Sequence, residues 1–126
     1  MKLLVEYLAV GFAGFFGAVA RLFLGQACGR LFGTTFPVGT LAVNVAGSFL
    51  LAWLLTFAGD RLVVPETMRL AVAVGFIGAF TTYSTFMHES NALWEQGALI
   101  KAGLNVVASL VFGLAALRLG VYVASR

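Results

Sequence analysis

Gly75-Phe76-Ile77-Gly78-Ala79-Phe80-Thr81-Thr82-Tyr83-Ser84-Thr85-Phe86 is the stretch that decides how this chain folds. It lies within an apolar run from Met68 to Trp94, yet the consecutive residues Thr81 to Thr85 all carry hydroxyls. The run is long enough to cross a bilayer, whose hydrocarbon core takes about 20 residues of helix. Gly, Thr and Ser hold a continuous helix poorly, and hydroxyls compete for backbone groups. The pattern predicts a membrane helix interrupted between Gly78 and Thr82. Interrupted backbone inside a bilayer is tolerated only where it is buried in protein or lines a cavity. Freed carbonyls there can hold a cation, while freed N–H groups and the N-terminal end of the continuing half-helix attract an anion. Tyr83 and Phe86, at i and i+3, project close together. Their electropositive ring edges suit an anion, although core packing is the commoner fate of two aromatics.

Outward from this stretch the rest of the chain is equally apolar. Of 126 residues, 61% are hydrophobic and only 10% charged, with a mean hydropathy of +1.00. Soluble domains are about a quarter charged, so lipid is the main solvent here. Three further runs, Leu4 to Leu24, Phe36 to Ala58 and Ala98 to Ala124, each reach spanning length. The expectation is an all-α membrane protein, one transmembrane domain over 1–126, with helices at about 4–30, 36–58, 66–95 and 98–124. Turn-forming Gly, Thr and Pro separate the first two helices, and Pro37 suits the first turn of the second. Gly59-Asp60-Arg61 is read as ending the second helix, and Pro65-Glu66 as opening the third. Met1-Lys2 and the following apolar run are taken as the first span rather than a cleaved leader, because the run is long, broken by glycines and closed by Arg21.

Charge excludes some partners and leaves orientation open. The net charge of +3 comes from scattered residues with no basic block, so nucleic acid is not expected as a partner. Cys28 stands alone, which excludes an intramolecular disulfide. An even number of spans puts both termini on one side, with Lys2, Arg61, Arg69, Arg118 and Arg126 against Arg30 and Lys101 on the other. The excess leans towards cytoplasmic termini, and so weak a bias also fits insertion in both orientations.

Polar residues inside apolar helices are the next signal, since each is unfavourable in lipid unless it is paired or faces water. Thr40, Asn44 and Ser48 form one stripe, and Asn105, Ser109 and Gly113 another. Such stripes either line a narrow polar track or join helices. Ser48 and Asn105 are read as joints, and Asn44, beside Gly39 and Gly47, as functional. The face of the first helix that carries Gly14, Gly17 or Ala18, Arg21 and Gly25, the small-residue pair Gly25 and Gly29, and the repeat Ala71, Gly75 and Ala79 are read mostly as packing surfaces. No Asp, Glu or His holds a mid-helix position suited to proton relay, which favours a channel over a proton-coupled transporter. An enzyme is not expected: His88 and Glu89 have no third ligand or nucleophile, and Cys28 has no activating neighbour in sequence.

Three motifs in order, Gly17-Ala18-x-x-Arg21, Gly39-Thr40-Leu41-x-Val43-Asn44-x-x-Gly47 and Gly75-x-x-Gly78-x-x-Thr81-Thr82-Tyr83-Ser84-Thr85-Phe86, resemble those of the Fluc/CrcB family of fluoride channels. The resemblance covers essentially the whole chain. It implies a multi-pass protein of the cell inner (plasma) membrane, an antiparallel, dual-topology homodimer exporting fluoride passively to limit its toxicity. It further implies a central structural sodium ion (Na+) held by the backbone oxygens of Gly78 and Thr81 from both copies. By matching position, Tyr83 and Phe86 form an aromatic box, Asn44 is the pore asparagine, and Thr40, Thr85 and Ser109 supply hydroxyls along the fluoride pathway. Arg21 falls in the anion-attracting vestibule and Glu89 near a pore end. The chain departs from the family pattern at Tyr83, where Phe is usual, and at Asn105, Gly113 and Leu117, where some relatives carry hydroxyls. The rival reading is a small multidrug-type, four-helix proton-coupled transporter, which needs a carboxylate embedded in the first helix. Glu6, the only candidate, lies too near the terminus.

Overall fold

The structure, a computed structural model, describes residues 1–61 and 64–126, apart from the side chains of residues 60 and 61. The Arg61 charge counted towards orientation therefore lies outside the described residues. All regular structure among the described residues is helical: α1 (Lys2–Phe32), α2 (Val38–Arg61), a third span in pieces, and α6 (Leu99–Ala124). Four segments, the third being Glu66–Glu95, are long and apolar enough to cross a membrane. α2 ends at Arg61, within the triplet Gly59-Asp60-Arg61 read as its end and three residues past the expected 58.

The third span is interrupted, as its hydroxyl content predicts. It starts as α3 (Glu66–Leu70), passes into a π-helical segment (Ala71–Ile77) and makes one further turn, α4 (Gly78–Phe80). Thr81 (φ −89°, ψ 162°) and Thr82 (φ −154°, ψ 121°) are then extended, and α5 (Tyr83–Glu95) resumes. The π-helical segment has no counterpart in the sequence reading. Its last turn is closed by the Gly78 N–H reaching the Ala73 carbonyl five residues back. Gly75, within it, rests on α1 so closely that a Cβ would stand 2.5 Å from the Val10 carbonyl oxygen and 3.0 Å from the Ala13 Cβ. Such wide turns recur at functional sites.

Close backbone approach, rather than a hydrophobic drive, holds membrane helices together. Gly17 of α1 lies against the Phe76 carbonyl, and Gly39 of α2 packs on Gly25 of α1, where an added Cβ would be 3.0 Å from the Gly25 Cα. Gly120 of α6 is pressed on the Phe49 carbonyl of α2, and α2 and α6 form the most extensive helix pair. Several buried side chains, among them Val43, Ile77, Phe80 and Phe86, gather around the break. Large apolar side chains such as Phe12, Phe15, Leu110 and Leu114 point outward, as lipid solvent allows.

Two devices fix the remaining geometry. The N–H of Ala98 bonds the Leu93 carbonyl and that of Gly97 bonds the Trp94 carbonyl, both at 2.9 Å. Gly97 itself takes φ 76°. This paired 6→1 and 5→2 closure needs a left-handed residue, which glycine adopts without strain, and it folds α6 back along α5. At the other side Lys2 Nζ donates to Glu66 Oε2 at 2.9 Å, joining the start of α1 to the start of the third span.

Candidate functional site

In an unbroken helix the Thr82 N–H would bond the Gly78 carbonyl. Here it donates instead to Asn44 Oδ1 at 2.8 Å, while Asn44 Nδ2 donates to the Thr82 carbonyl at 2.9 Å. One side-chain amide from α2 thus splices the interruption, and the Gly78 carbonyl is released from the helical ladder. The Thr82 hydroxyl caps α5, accepting from the Thr85 N–H at 3.3 Å and donating to Thr85 Oγ1 at 3.0 Å. That chain leaves the Thr85 O–H proton to donate outward. Thr81 turns its hydroxyl back to the Ile77 carbonyl at 3.0 Å.

Two cavities meet at Thr82, which is buried. The larger, about 1060 Å³, is walled by Arg21, Thr40, Val43, Thr85 and Glu89 among others. The smaller, about 290 Å³, is lined by Asn44, Ser48, Gly78, Thr81, Tyr83 and Phe86. The sequence-predicted residues of the break are thus brought together, divided between the two spaces. Arg21 Nη1 lies 3.4 Å from the Thr81 carbonyl oxygen, placing a guanidinium beside the interruption. The Tyr83 and Phe86 ring centroids are 6.1 Å apart. Phe86 is 6% exposed and Tyr83 74%, so only one ring of the pair belongs to the core.

The two polar stripes have separate fates. Ser48 donates to the Asn44 carbonyl of its own helix at 2.7 Å, and Thr40 donates to Glu89 Oε1 at 2.9 Å. Glu89 Oε2 and Ser109 Oγ are buried without a hydrogen-bond partner among the described residues. Ser109 is not among the residues lining either cavity. Gly113 faces α2, where a Cβ would stand 3.8 Å from Ser48 Oγ. Asn105, 1% exposed, donates to Ser90 Oγ at 2.9 Å, and Ser90 donates to the Phe86 carbonyl at 2.8 Å. This is a joint between α6 and α5, as read for Asn105. The sequence reading missed Ser90. Its signal was that positions 90 and 105 stand almost symmetrically about Gly97, so a tight helical hairpin places them opposite each other. Asn105→Leu is expected to lower stability by about 0.5–2 kcal/mol. Thermal unfolding in detergent measures it, and an unchanged midpoint would remove this joint from the fold's support.

The Gly78 and Thr81 carbonyls are hard oxygen donors of the kind that hold alkali and alkaline-earth cations. Gly78 is exposed, and a carbonyl has two lone pairs, so the Arg21 contact leaves Thr81 one to offer. Two such oxygens come from this chain.

Fold and site together define a class: four-span, all-helical membrane proteins whose third span is interrupted at a polar, cavity-lined break. Comparison with known sequences narrows it. The family described as CrcB-like protein, Camphor Resistance (CrcB), matches residues 8–121. The "Fluoride-specific ion channel FluC" of Geobacter sp. (strain M21) is 41% identical over 115 residues, 91% of this chain and 93% of that protein. The protein of the same name from Vibrio campbellii is 40% identical over 114 residues, 90% of this chain and 88% of its own length. That of Methylococcus capsulatus is 44% identical over 118 residues, 94% of this chain but 52% of the relative, so the chain spans about half of that longer protein. The chain belongs to the CrcB family, and is a multi-pass membrane protein.

Proposed function

We propose that this chain is a fluoride-selective channel of the plasma membrane, exporting the ion passively and so limiting its toxicity. The observation that carries the reading is the Thr82 septum: a spliced helix break with hydroxyls and an aromatic ring around it, where two cavities meet. The names of the relatives support the same reading.

Fluoride is small and strongly hydrated, so a pore must replace its water with close donors while avoiding a full charge that would trap it. Arg21 raises the positive potential of the larger cavity and offsets part of the penalty of bringing an anion into a low-dielectric region. Thr40 donates to Glu89 and Thr82 donates to Thr85, so of these three hydroxyls Thr85 is the one left to donate into this space. Beyond the septum the second Asn44 Nδ2 proton and the Phe86 ring edge take over, the Ser48 proton being held by the Asn44 carbonyl. Ser109 Oγ, buried and unpartnered among the described residues, has hydrogen-bonding capacity to spare.

The working unit in this proposal is an antiparallel, dual-topology homodimer. The exposed Tyr83 ring and Gly78 support it, since both sit on the outer side of an otherwise buried break. A bound sodium ion would add a fixed positive charge at the dimer centre, with the Gly78 and Thr81 carbonyls of each copy holding it. Tyr83 and Phe86 of both copies would then border the two fluoride paths.

The test is efflux from liposomes holding this protein alone. Fluoride release far faster than chloride is expected, and release no faster than from empty liposomes overturns the proposal. Glu89 Oε2, a buried carboxylate oxygen without a partner among the described residues, favours the rival proton-coupled transporter. Fluoride release that a pH gradient drives uphill would establish that rival instead.

A further inference from the structure

The end of α6 carries a ladder that the conduction path does not use. Arg118, Tyr122 and Arg126 follow at four-residue intervals, all exposed. They stand on the side of α6 away from Gly120 and Ala124, which are buried. The Arg126 guanidinium lies over the Tyr122 ring, 4.4 Å from its centroid, and its Nη2 donates to the Tyr122 hydroxyl. Neither Arg118 nor Arg126 is in an ion pair among the described residues.

Depth decides what such a ladder meets. At about 1.5 Å per residue, the stretch from Lys101 to Arg118 spans about 25 Å, close to the hydrocarbon thickness of about 30 Å. Arg118 therefore sits at the edge of the acyl layer, Tyr122 rises about 6 Å beyond it, and Arg126 follows just past the end of α6, among the headgroups. Deeper on α6, the exposed Val111 and Leu114 offer an apolar rail suited to an acyl chain. A guanidinium matches phosphate geometry with two parallel donors, and tyrosine favours the interface because one end of it is apolar and the other wet.

We propose that Arg118, Tyr122 and Arg126 form a binding site for the phosphate headgroup of an anionic phospholipid, with Val111 and Leu114 alongside its chain. The charge complementarity selects the occupant: two cations in no ion pair among the described residues stand at the headgroup layer, where anionic lipid phosphates are found. The site is independent of the fluoride reading, since none of its residues borders either cavity.

The experiment is native mass spectrometry of the full chain from micelles holding equal amounts of phosphatidylglycerol and phosphatidylcholine. Preferential retention of phosphatidylglycerol is expected, falling by about tenfold in the double variant Arg118→Gln, Arg126→Gln. Arg69→Gln, an exposed arginine on a different span, is expected to keep the wild-type preference. Fluoride efflux from phosphatidylcholine vesicles should be the same in all three proteins, which shows that the variants fold. Equal retention of both lipids by the wild type overturns the site, and so does an equal loss with Arg69→Gln, which would mean bulk charge. Displacement of the lipid by millimolar glycerol phosphate also overturns it, by showing a site for a soluble anion.

Discussion

Asn44→Leu is expected to slow fluoride efflux by about tenfold to about 150-fold and to lower the thermal midpoint together with it. Leucine keeps the approximate size but removes both halves of the splice, the acceptor for the Thr82 N–H and the donor to the Thr82 carbonyl. A backbone N–H left unpaired in an apolar interior costs about 1–3 kcal/mol, which is the stability side of the effect. A hydrogen bond to a charged group is worth about 1.5–3 kcal/mol, and at 1.4 kcal/mol per tenfold its loss from the ion's path gives the range of slowing. Asn44→Asp separates the two roles. Its carboxylate can still accept from Thr82 N–H, so more stability is retained, but it cannot donate and it adds a negative charge beside an anion path. Efflux should therefore stay as low in Asn44→Asp as in Asn44→Leu while the midpoint partly recovers. Wild-type flux in folded Asn44→Leu protein would take Asn44 out of the pathway.

The splice also shows what a sequence can and cannot disclose. Thr81 to Thr85 announce an interruption because hydroxyls crowd into a lipid-soluble run, and the structure places extended backbone at Thr81 and Thr82. The position of Asn44 in a polar stripe marked it as functional, but its partner was hidden, because pairing Asn44 with Thr82 requires the packing of α2 on the third span. The π-helical segment Ala71–Ile77 contains no polar residue to betray it. Its wide turn coincides with the place where α1 presses on Gly75, a tertiary cause that local propensity does not record. Likewise the spacing of Tyr83 and Phe86 foretold neighbouring rings, while their opposite exposures depend on which side of the break the bundle covers. Glu89 could be placed near a pore end, yet its bond to Thr40 joins residues far apart in sequence.

Gly17→Ala should be the most damaging single methyl group in the chain, whereas Gly11→Ala on the same helix should do no harm. A Cβ at Gly17 would overlap the Phe76 carbonyl oxygen and crowd its carbon and Cα at 2.9 and 3.0 Å, all backbone atoms with no rotamer by which to retreat. A Cβ at Gly11 meets nothing within 4 Å. Overpacking costs about 1–3 kcal/mol where side chains can adjust and more where they cannot, so a loss of about 3 kcal/mol or more is expected for Gly17→Ala. Gly11→Ala is expected to be neutral or to gain up to about 1 kcal/mol from helix propensity alone. The damage should also reach conduction. Arg21 stands one turn beyond Gly17 on α1, and the Thr81 carbonyl it approaches is five residues beyond Phe76. Pushing Phe76 off α1 therefore moves the half-helix whose end is the interruption, and withdraws the guanidinium from it. Thermal midpoints and liposome efflux of the two variants provide the measurement. Equal behaviour of Gly11→Ala and Gly17→Ala would mean that the α1 contact with the π-helical segment does not hold the break in place.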